Sequence, residues 1–355
     1  LKILFYQDPP ALDTTMLTWT LGQELILRGR TVHFAKPTNG MGDYDWVRGG
    51  GQSSHDAVRY ARSIGARVHI HLEGASYYRI GADSATNWGL AKELTGDQIS
   101  TFKQGYRKWM SAAYIADSCS VNGQSHIDTI QDYLFDCEPL PNCHRMSCGA
   151  DARFALTMPH VEKGNYIVTA SRIVPDRKIM HIAAAISLIP ENKRPPWVIV
   201  GYGDPGFVKH LRTACNALGV DLTIRPCFGA EKWMVIKGAK LMVQGWNGIP
   251  PAEGLLCDVP VVCFDHEFMV ELFTDFDDKN MESYDALHFA LDNEPVSMKD
   301  AICQVMDEVW RGNTTNTTLI GKEMLLNGNL YACTQEQLAA QYEKIFLNGG
   351  RVDGI

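Results

Sequence analysis

The sequence predicts an α/β protein of two doubly wound domains, and three observations predict it. Short apolar runs of strand length alternate with longer segments of 3.6-residue periodicity along the chain. The stretch from Leu241 to Glu271 holds a complete strand, loop, helix, strand unit. The 355 residues suffice for two domains at roughly 150 residues each.

The first domain opens with a strand over residues 1–8, stopped at Asp8-Pro9-Pro10. Leu12 to Leu27 reads as an amphipathic helix, with Leu17, Leu21, Leu25 and Ile26 at helical spacing and Gly29 as its C-cap. Thr31 to Ala35 is the second strand, which completes a doubly wound opening unit. Asp43 to Arg48 is a short strand candidate ending in Gly49-Gly50-Gly51, where the glycines either admit a ligand close to the backbone or form a turn. His55 to Ile64 reads as a helix and Ala66 to Leu72 as a strand that carries His69 and His71 on one face. The segment Glu73 to Gly89 holds Tyr77, Tyr78, Arg79 and Trp88, which either grip a bound molecule or anchor a loop. Helices follow over Thr95–Ala113 and His126–Tyr133, with a strand and loop over Ala116–Gly123 between them.

The second domain starts after a linker at Thr157-Met158-Pro159-His160. Its first strand, Asn165 to Ala170, leads into a basic turn, Ser171 to Lys178, that contains Arg172, Arg177 and Lys178, and then into a helix over Ile179–Leu188. A strand ending at Gly201-Tyr202-Gly203 follows, then a helix over Phe207–Leu218, a strand over Leu222–Pro226, and Cys227-Phe228-Gly229 before a helix over Glu231–Gly238. The next strand ends at Val243. The loop Gln244 to Pro251 contains two glycines and two prolines, and Pro251 suits the first turn of a short helix ending at Cys257. Pro260 to Phe264 is the following strand. The backbone N–H groups of the 244–251 loop and the helix start behind it suit an anion such as a diphosphate. Glu253, read as lying in the first helical turn, is placed to accept two vicinal hydroxyls. Residues 283–309 and 334–347 read as amphipathic helices.

Composition narrows the function class. The net charge of −8 argues against a generally basic nucleic-acid surface, so a nucleic-acid acceptor is possible but not favoured. No apolar run approaches the ~20 residues of a membrane-spanning helix, and the apolar start of the chain reads as a strand and not as a signal peptide. The ten cysteines include no Cys-x-x-Cys pair, so no metal site is expected and the thiols read as reduced and mostly buried, in a cytoplasmic protein. Asn313-Thr314-Thr315 and Asn316-Thr317-Thr318 match the N-glycosylation pattern but read as a polar loop.

The motif Asn247-Gly248-Ile249-Pro250-Pro251-Ala252-Glu253, followed by Val259-Pro260-Val261-Val262, Asp265 and Glu271, resembles the donor-binding signature of GT-B glycosyltransferases, closest to the retaining family 4. The first Glu of that family's pair falls on Gly245, with Gln244 and Asn247 as polar neighbours able to substitute. Arg172 with Arg177 and Lys178 resembles the family's Arg and Lys that clasp the donor diphosphate. Phe228-Gly229 stands where the family's backbone meets the nucleotide base, and His71 matches a His that faces the donor sugar.

The resemblance implies two Rossmann-like domains facing across a cleft: residues 1–157 on the acceptor side, 158–333 binding the nucleotide sugar, and 334–355 as a helix crossing back to the first. It implies a hexosyl- or pentosyltransferase that moves a sugar from a nucleotide-diphosphate sugar to an acceptor hydroxyl, with retention and without a metal or other cofactor. Catalytic roles then fall to His71, Arg172 and Lys178. Donor binding falls to Arg177, Phe228, Gly229, Asn247, Gly248, Ile249, Pro250 and Glu253. A non-catalytic sugar-nucleotide or carbohydrate-binding protein, and a UDP-sugar epimerase of the same fold, are the alternative readings.

Overall fold

The computed structural model describes residues 1–8, 17–37, 42–72, 107–124, 127, 139–147, 149–245, 249–277, 282–292, 294–309 and 316–351. The chain divides into two compact units, Leu1–Gly149 together with Gln335–Ile355, and Ala150–Thr334.

The first unit is built on a six-stranded sheet in the order β2-β1-β3-β4-β5-β6. Its strands are β1 Lys2–Tyr6, β2 Thr31–Ala35, β3 Trp46–Gly50, β4 Arg67–Leu72, β5 Ser118–Val121 and β6 Cys143–Arg145. Every pairing is parallel. Alternation along these strands sorts the side chains onto two faces. Leu4, Val47, Val68, Ile70, Cys119 and Val121 pack with Ala57, Val58 and Ala61 of helix α2, Ser54–Ile64. The opposite parity, which includes Trp46, Arg48, His69, His71, Ser118 and Ser120, is also buried. Aromatic residues of the C-terminal helix, Gln335–Leu347, lie against it: the Phe346 ring sits 4.9 Å from Trp46 and the Tyr342 ring 5.4 Å from His69. Helix α1, Leu17–Leu27, lies beside that C-terminal helix, where Glu343 accepts hydrogen bonds from Arg28 at 2.9 Å and Arg30 at 2.5 Å.

The second unit also carries six parallel strands, in the order β9-β8-β7-β10-β11-β12: β7 Ile167–Ala170, β8 Trp197–Val200, β9 Leu222–Arg225, β10 Leu241–Gln244, β11 Val261–Phe264 and β12 His288–Ala290. Both faces are mainly apolar. Ile167, Ile199, Val243, Val262 and Phe264 pack with helices α3 Ile179–Ser187, α4 Pro205–Ala217 and, further along the chain, Pro295–Val309. Val168, Ala170, Val200, Met242 and Cys263 pack with α5 Gly229–Lys237, α6 Ile249–Leu256 and α7 Glu267–Phe273. Near-continuous apolar strands are what a sheet covered on both sides by helices requires.

Two sequence expectations are corrected here. Residues 283–309 are not one helix: Glu282–Asp285 pairs antiparallel with Thr274–Asp277, His288–Ala290 is β12, and only Pro295–Val309, α8, is helical. Proline fits the first helical turn but disfavours helix in the residue before it, so Pro295 begins an element that periodicity alone had merged with its predecessor. The expected polar loop at Asn316–Thr318 is instead the start of helix α9, Asn316–Asn327. Its Thr318 is buried and its Gly321 lies so close to the Ala286 carbonyl that a Cβ would meet that oxygen at 2.6 Å, a packing contact that overrides the poor helix propensity of the Thr pair.

Candidate functional site

In the second unit the strand order reverses between β7 and β10, which pair directly. Ligands of doubly wound sheets bind at the carboxyl ends of the strands beside such a switch point. Two stretches leave this point: the basic turn after β7, and the chain after β10, which begins at Gly245. They touch. A Cβ placed on Gly245 would collide with the Arg177 carbonyl oxygen and stand 3.0 Å from the Lys178 Cβ. Gly245 is therefore where the backbone of one loop lies on the other, and no side chain, including the family's Glu, fits there without a shift. The neighbouring Gln244 is fully buried, and neither atom of its amide has a hydrogen-bond partner among the described residues.

The basic turn holds its three cations in different settings. Arg172 is exposed, while Arg177 and Lys178 are buried. Lys178 adopts a left-handed backbone conformation, φ 51°, at the start of α3, and its ammonium lies 5.2 Å from the centre of the Phe264 ring. Beneath it, His181 is held neutral: burial, and then the Lys178 charge, pull its pKa down to about 4.

Helix α6 begins at Ile249, two residues earlier than expected. The first four N–H groups of a helix lack intrahelical partners, so Pro250 and Pro251 are both tolerated inside the first turn. Glu253 consequently sits beyond that turn, and the expectation that the helix N-terminus supports its carboxylate is corrected. Lys232 of α5 takes that role. Its ammonium lies 2.6 Å from each Glu253 carboxylate oxygen, and the carboxylate is 7% exposed. The pair neutralises a nearly buried charge and still leaves acceptor lone pairs on the carboxylate. Phe228, the N-cap of α5, is half exposed and packs its ring 5.7 Å from that of Tyr202, which is equally exposed. These two aromatics follow the adjacent strands β9 and β8, and Gly229 behind Phe228 has φ +54°.

In the first unit His71 lies at the end of β4, in register with Gly50 of β3 and Ser120 of β5. Its Nδ1 is 2.8 Å from the Ser120 hydroxyl. The same hydroxyl is 2.8 Å from Nε2 of His69, whose Nδ1 is 2.8 Å from Ser118. His69 is fully buried, and that burial lowers its pKa well below the ordinary range, with Arg48, His71 and His144 adding to the effect.

The second unit thus brings Arg172, Arg177, Lys178, Phe228, Gly229, Ile249, Pro250 and Glu253 to strand ends and helix starts of one sheet. Asn247 and Gly248 lie outside the described residues, as do Tyr77, Tyr78, Arg79 and Trp88. Lys232 was missed by sequence reasoning: it is a helical lysine whose partner lies on another helix, and nothing local marks it. Ser120 was missed as well, although its alternation with Cys119 and Val121 marks it as facing the opposite side of the sheet. Among the described residues no three His, Cys, Asp or Glu side chains gather to hold a metal ion, and no helix is long and apolar enough to cross a membrane.

No protein-family model and no curated protein matches this sequence. Solved structures do match. The Anabaena protein HepE in complex with UDP is 14% identical and superposes with a TM-score of 0.67 over 98% of this chain and 100% of that one. A glycosyltransferase from Rickettsia africae is 9% identical with a TM-score of 0.64, over 98% of each chain. An alpha-glucosyltransferase in complex with UDP is 12% identical with a TM-score of 0.59, again over 98% of each. At these identities the likeness is one of fold, and it does not single out retaining family 4. Two doubly wound parallel sheets, matched over nearly the whole chain, give this protein the GT-B fold.

Proposed function

We propose that this chain is a glycosyltransferase that moves a sugar from a nucleotide-diphosphate sugar to an acceptor hydroxyl, with retention, and that it works in the cytoplasm. The observation that carries the reading is the contact of Gly245 with the Arg177 carbonyl: two motifs distant in sequence, each suited to a diphosphate, meet at the switch point. In this reading Arg172, Arg177 and Lys178, with the backbone N–H groups of Gly248 and Ile249, stabilise the charge that develops on the leaving diphosphate, so that these cations take the place of a metal. Glu253 accepts the ribose hydroxyls while held by Lys232. Phe228 and Gly229 receive the base, with Asn247 and Ile249 completing the donor loop, and His71 contacts the sugar. The bond from the anomeric carbon to phosphate breaks, the acceptor oxygen bonds to the same face of that carbon, and its proton passes to the departing phosphate. The UDP bound in two of the matched structures favours a uridine donor as the first to be tried.

The test is a thermal-shift screen with UDP, GDP, ADP, CMP and their common sugars. A rise with one nucleoside diphosphate and its sugar, followed by consumption of that sugar only when an acceptor is present, is the expected result. Binding without turnover favours the non-catalytic reading, and conversion without an acceptor the epimerase. No shift with any of them sinks the donor site.

A further inference from the structure

Cys119 of β5 and Cys143 of β6 are register partners on adjacent parallel strands. Their side chains share one face of the sheet. Cys119 is fully buried in the apolar cluster that holds Ala57 and Ala61 of helix α2, and Cys143 packs half-buried against the same cluster. The Cys119 sulfur leans toward β6: its thiol donates to the carbonyl of Pro141, two residues before Cys143, at 3.6 Å. Its backbone N–H donates to the Asn142 carbonyl at 3.0 Å. Neighbouring strands lie about 4.8 Å apart, within the roughly 4.4–6.8 Å between Cα atoms that a disulfide bridges. Closure also has to bring the Cβ atoms to about 3.8 Å. The strand able to give is β6, which is three residues long and stands at the edge of the sheet. No other two cysteines are register partners in the described strands.

We propose that Cys119 and Cys143 are a paired modification site, at which a hydroperoxide closes a reversible disulfide between β5 and β6. Cys143 is the partly exposed member and the one an oxidant reaches. A hydrogen bond with Cys143, and then burial, push the Cys119 thiol well above the ordinary range, so Cys119 keeps its proton until it is used. The Cys143 thiolate attacks one oxygen of hydrogen peroxide. The S–O bond forms, the O–O bond breaks, and the electron pair leaves with hydroxide, which takes up the proton that the thiol released and becomes water. The Cys119 sulfur then attacks the Cys143 sulfur of this sulfenic acid. The S–S bond forms, the S–O bond breaks, and the hydroxide leaves as a second water with the Cys119 proton. Each sulfur has lost one electron, and both peroxide oxygens are reduced. A bond that closes only when an edge strand shifts is one that a thiol reductant reopens readily, which makes it a reversible mark and not a permanent cross-link. It fastens the edge of the sheet to β5, whose other face holds Ser118 and Ser120 against His69. The proposal lies within the first unit and is independent of the donor site read in the second.

The experiment treats the full chain with hydrogen peroxide, quenches it in denaturant with an alkylating reagent, and sequences the peptides by mass spectrometry before and after dithiothreitol. Cleavage at aspartate and arginine puts Cys119 on one peptide, and fragment ions across residues 139–142 separate Cys143 from Cys137 on the other. The expected result is the loss of two alkylatable thiols and a Cys119–Cys143 cross-link lighter by two hydrogens, both reversed by dithiothreitol. Cys119→Ser is expected to leave Cys143 as a sulfenic acid that dimedone traps, and Cys143→Ser to leave Cys119 unoxidised at the same dose. Wild type alone can overturn the proposal: both thiols staying alkylatable would do so. So would a bond from either one to Cys137 or Cys148, which lie outside the described residues. Dimedone labelling of Cys143 in wild type equal to that in Cys119→Ser would also overturn it, because Cys119 would then not be the thiol that closes the bond.

Discussion

The two sheets have the same number of strands and the same parallel pairing, yet they keep their polar groups in different places. In the second unit both faces are filled mainly with apolar side chains, with Thr169 hydrogen-bonded between Trp197 and the Val243 carbonyl, and the candidate residues lie in turns at the strand ends and in the helices that follow. In the first unit one whole face carries Arg48, His69, His71, Ser118 and Ser120 under the aromatic residues of the C-terminal helix. A mainly apolar sheet leaves chemistry to its loops and helix ends and depends chiefly on packing for stability. A sheet with a polar face depends on every hydrogen bond being made, because each unsatisfied buried group costs more than a made bond contributes. The first arrangement tolerates exchange of loop residues. The second couples an orienting network to the sheet's own register.

The largest expected effect sharpens the loop side of that comparison. Arg172→Ala is expected to lower transfer about 100-fold, as loss of a transition-state charge partner does, with the melting temperature unchanged because the side chain is exposed. Equal losses of activity and stability would place Arg172 in the fold and not in the site. Next is Lys232→Met, which leaves the Glu253 carboxylate buried without its cation. A destabilisation of about 3 kcal/mol in urea melts is expected, largely relieved by adding Glu253→Gln. If the double variant is no better than the single, the two groups are not coupled. Gly245→Ala is expected to cost about 2 kcal/mol through the collision with the Arg177 carbonyl. Gly245→Glu, which supplies the family's residue, is expected to be worse and to gain no activity. A gain would show that the turn has room to rearrange.

A last comparison, in which no single side chain is lost, sets the two units against each other through their buried histidines. His69 and His181 are both neutral in the fold, so at acid pH the unfolded chain binds more protons than the folded one. Stability is therefore lost as pH falls below about 6.5, with a slope approaching 1.4 kcal/mol per pH unit for each histidine. For His181 the loss ends at about pH 4, where the folded form is protonated too. For His69, whose pKa lies well below the ordinary value, it continues further into acid. Amide hydrogen exchange followed in each sheet between pH 7 and pH 5 reads this directly. His69→Gln is expected to flatten the dependence in the first unit, and His181→Asn in the second. A flat profile in wild type would mean that neither imidazole is buried as described.

How much was legible follows the same division. The β7 turn, the Gly201-Tyr202-Gly203 turn and the Gly248 to Glu253 motif could be read because their chemistry is local: glycine, proline and cations at fixed spacing between apolar runs. Helix ends were read to within a few residues, and Pro250 and Pro251 misled because proline both ends and begins helices. Residues 283–309 were misread because a strand, a turn and a helix laid end to end imitate one periodic pattern.

The order of apolar runs, turns and periodic segments, which the sequence carries directly, determined that this is a doubly wound α/β protein and where its glycine-rich and basic turns lie, because those are properties of neighbours along the chain. Tertiary structure alone decided that Lys232 holds Glu253, that Gly245 lies on the Arg177 carbonyl, and that Ser120 sits between His69 and His71. Those contacts depend on strand register and on which helices share a sheet face, and both are fixed only when the two faces are packed.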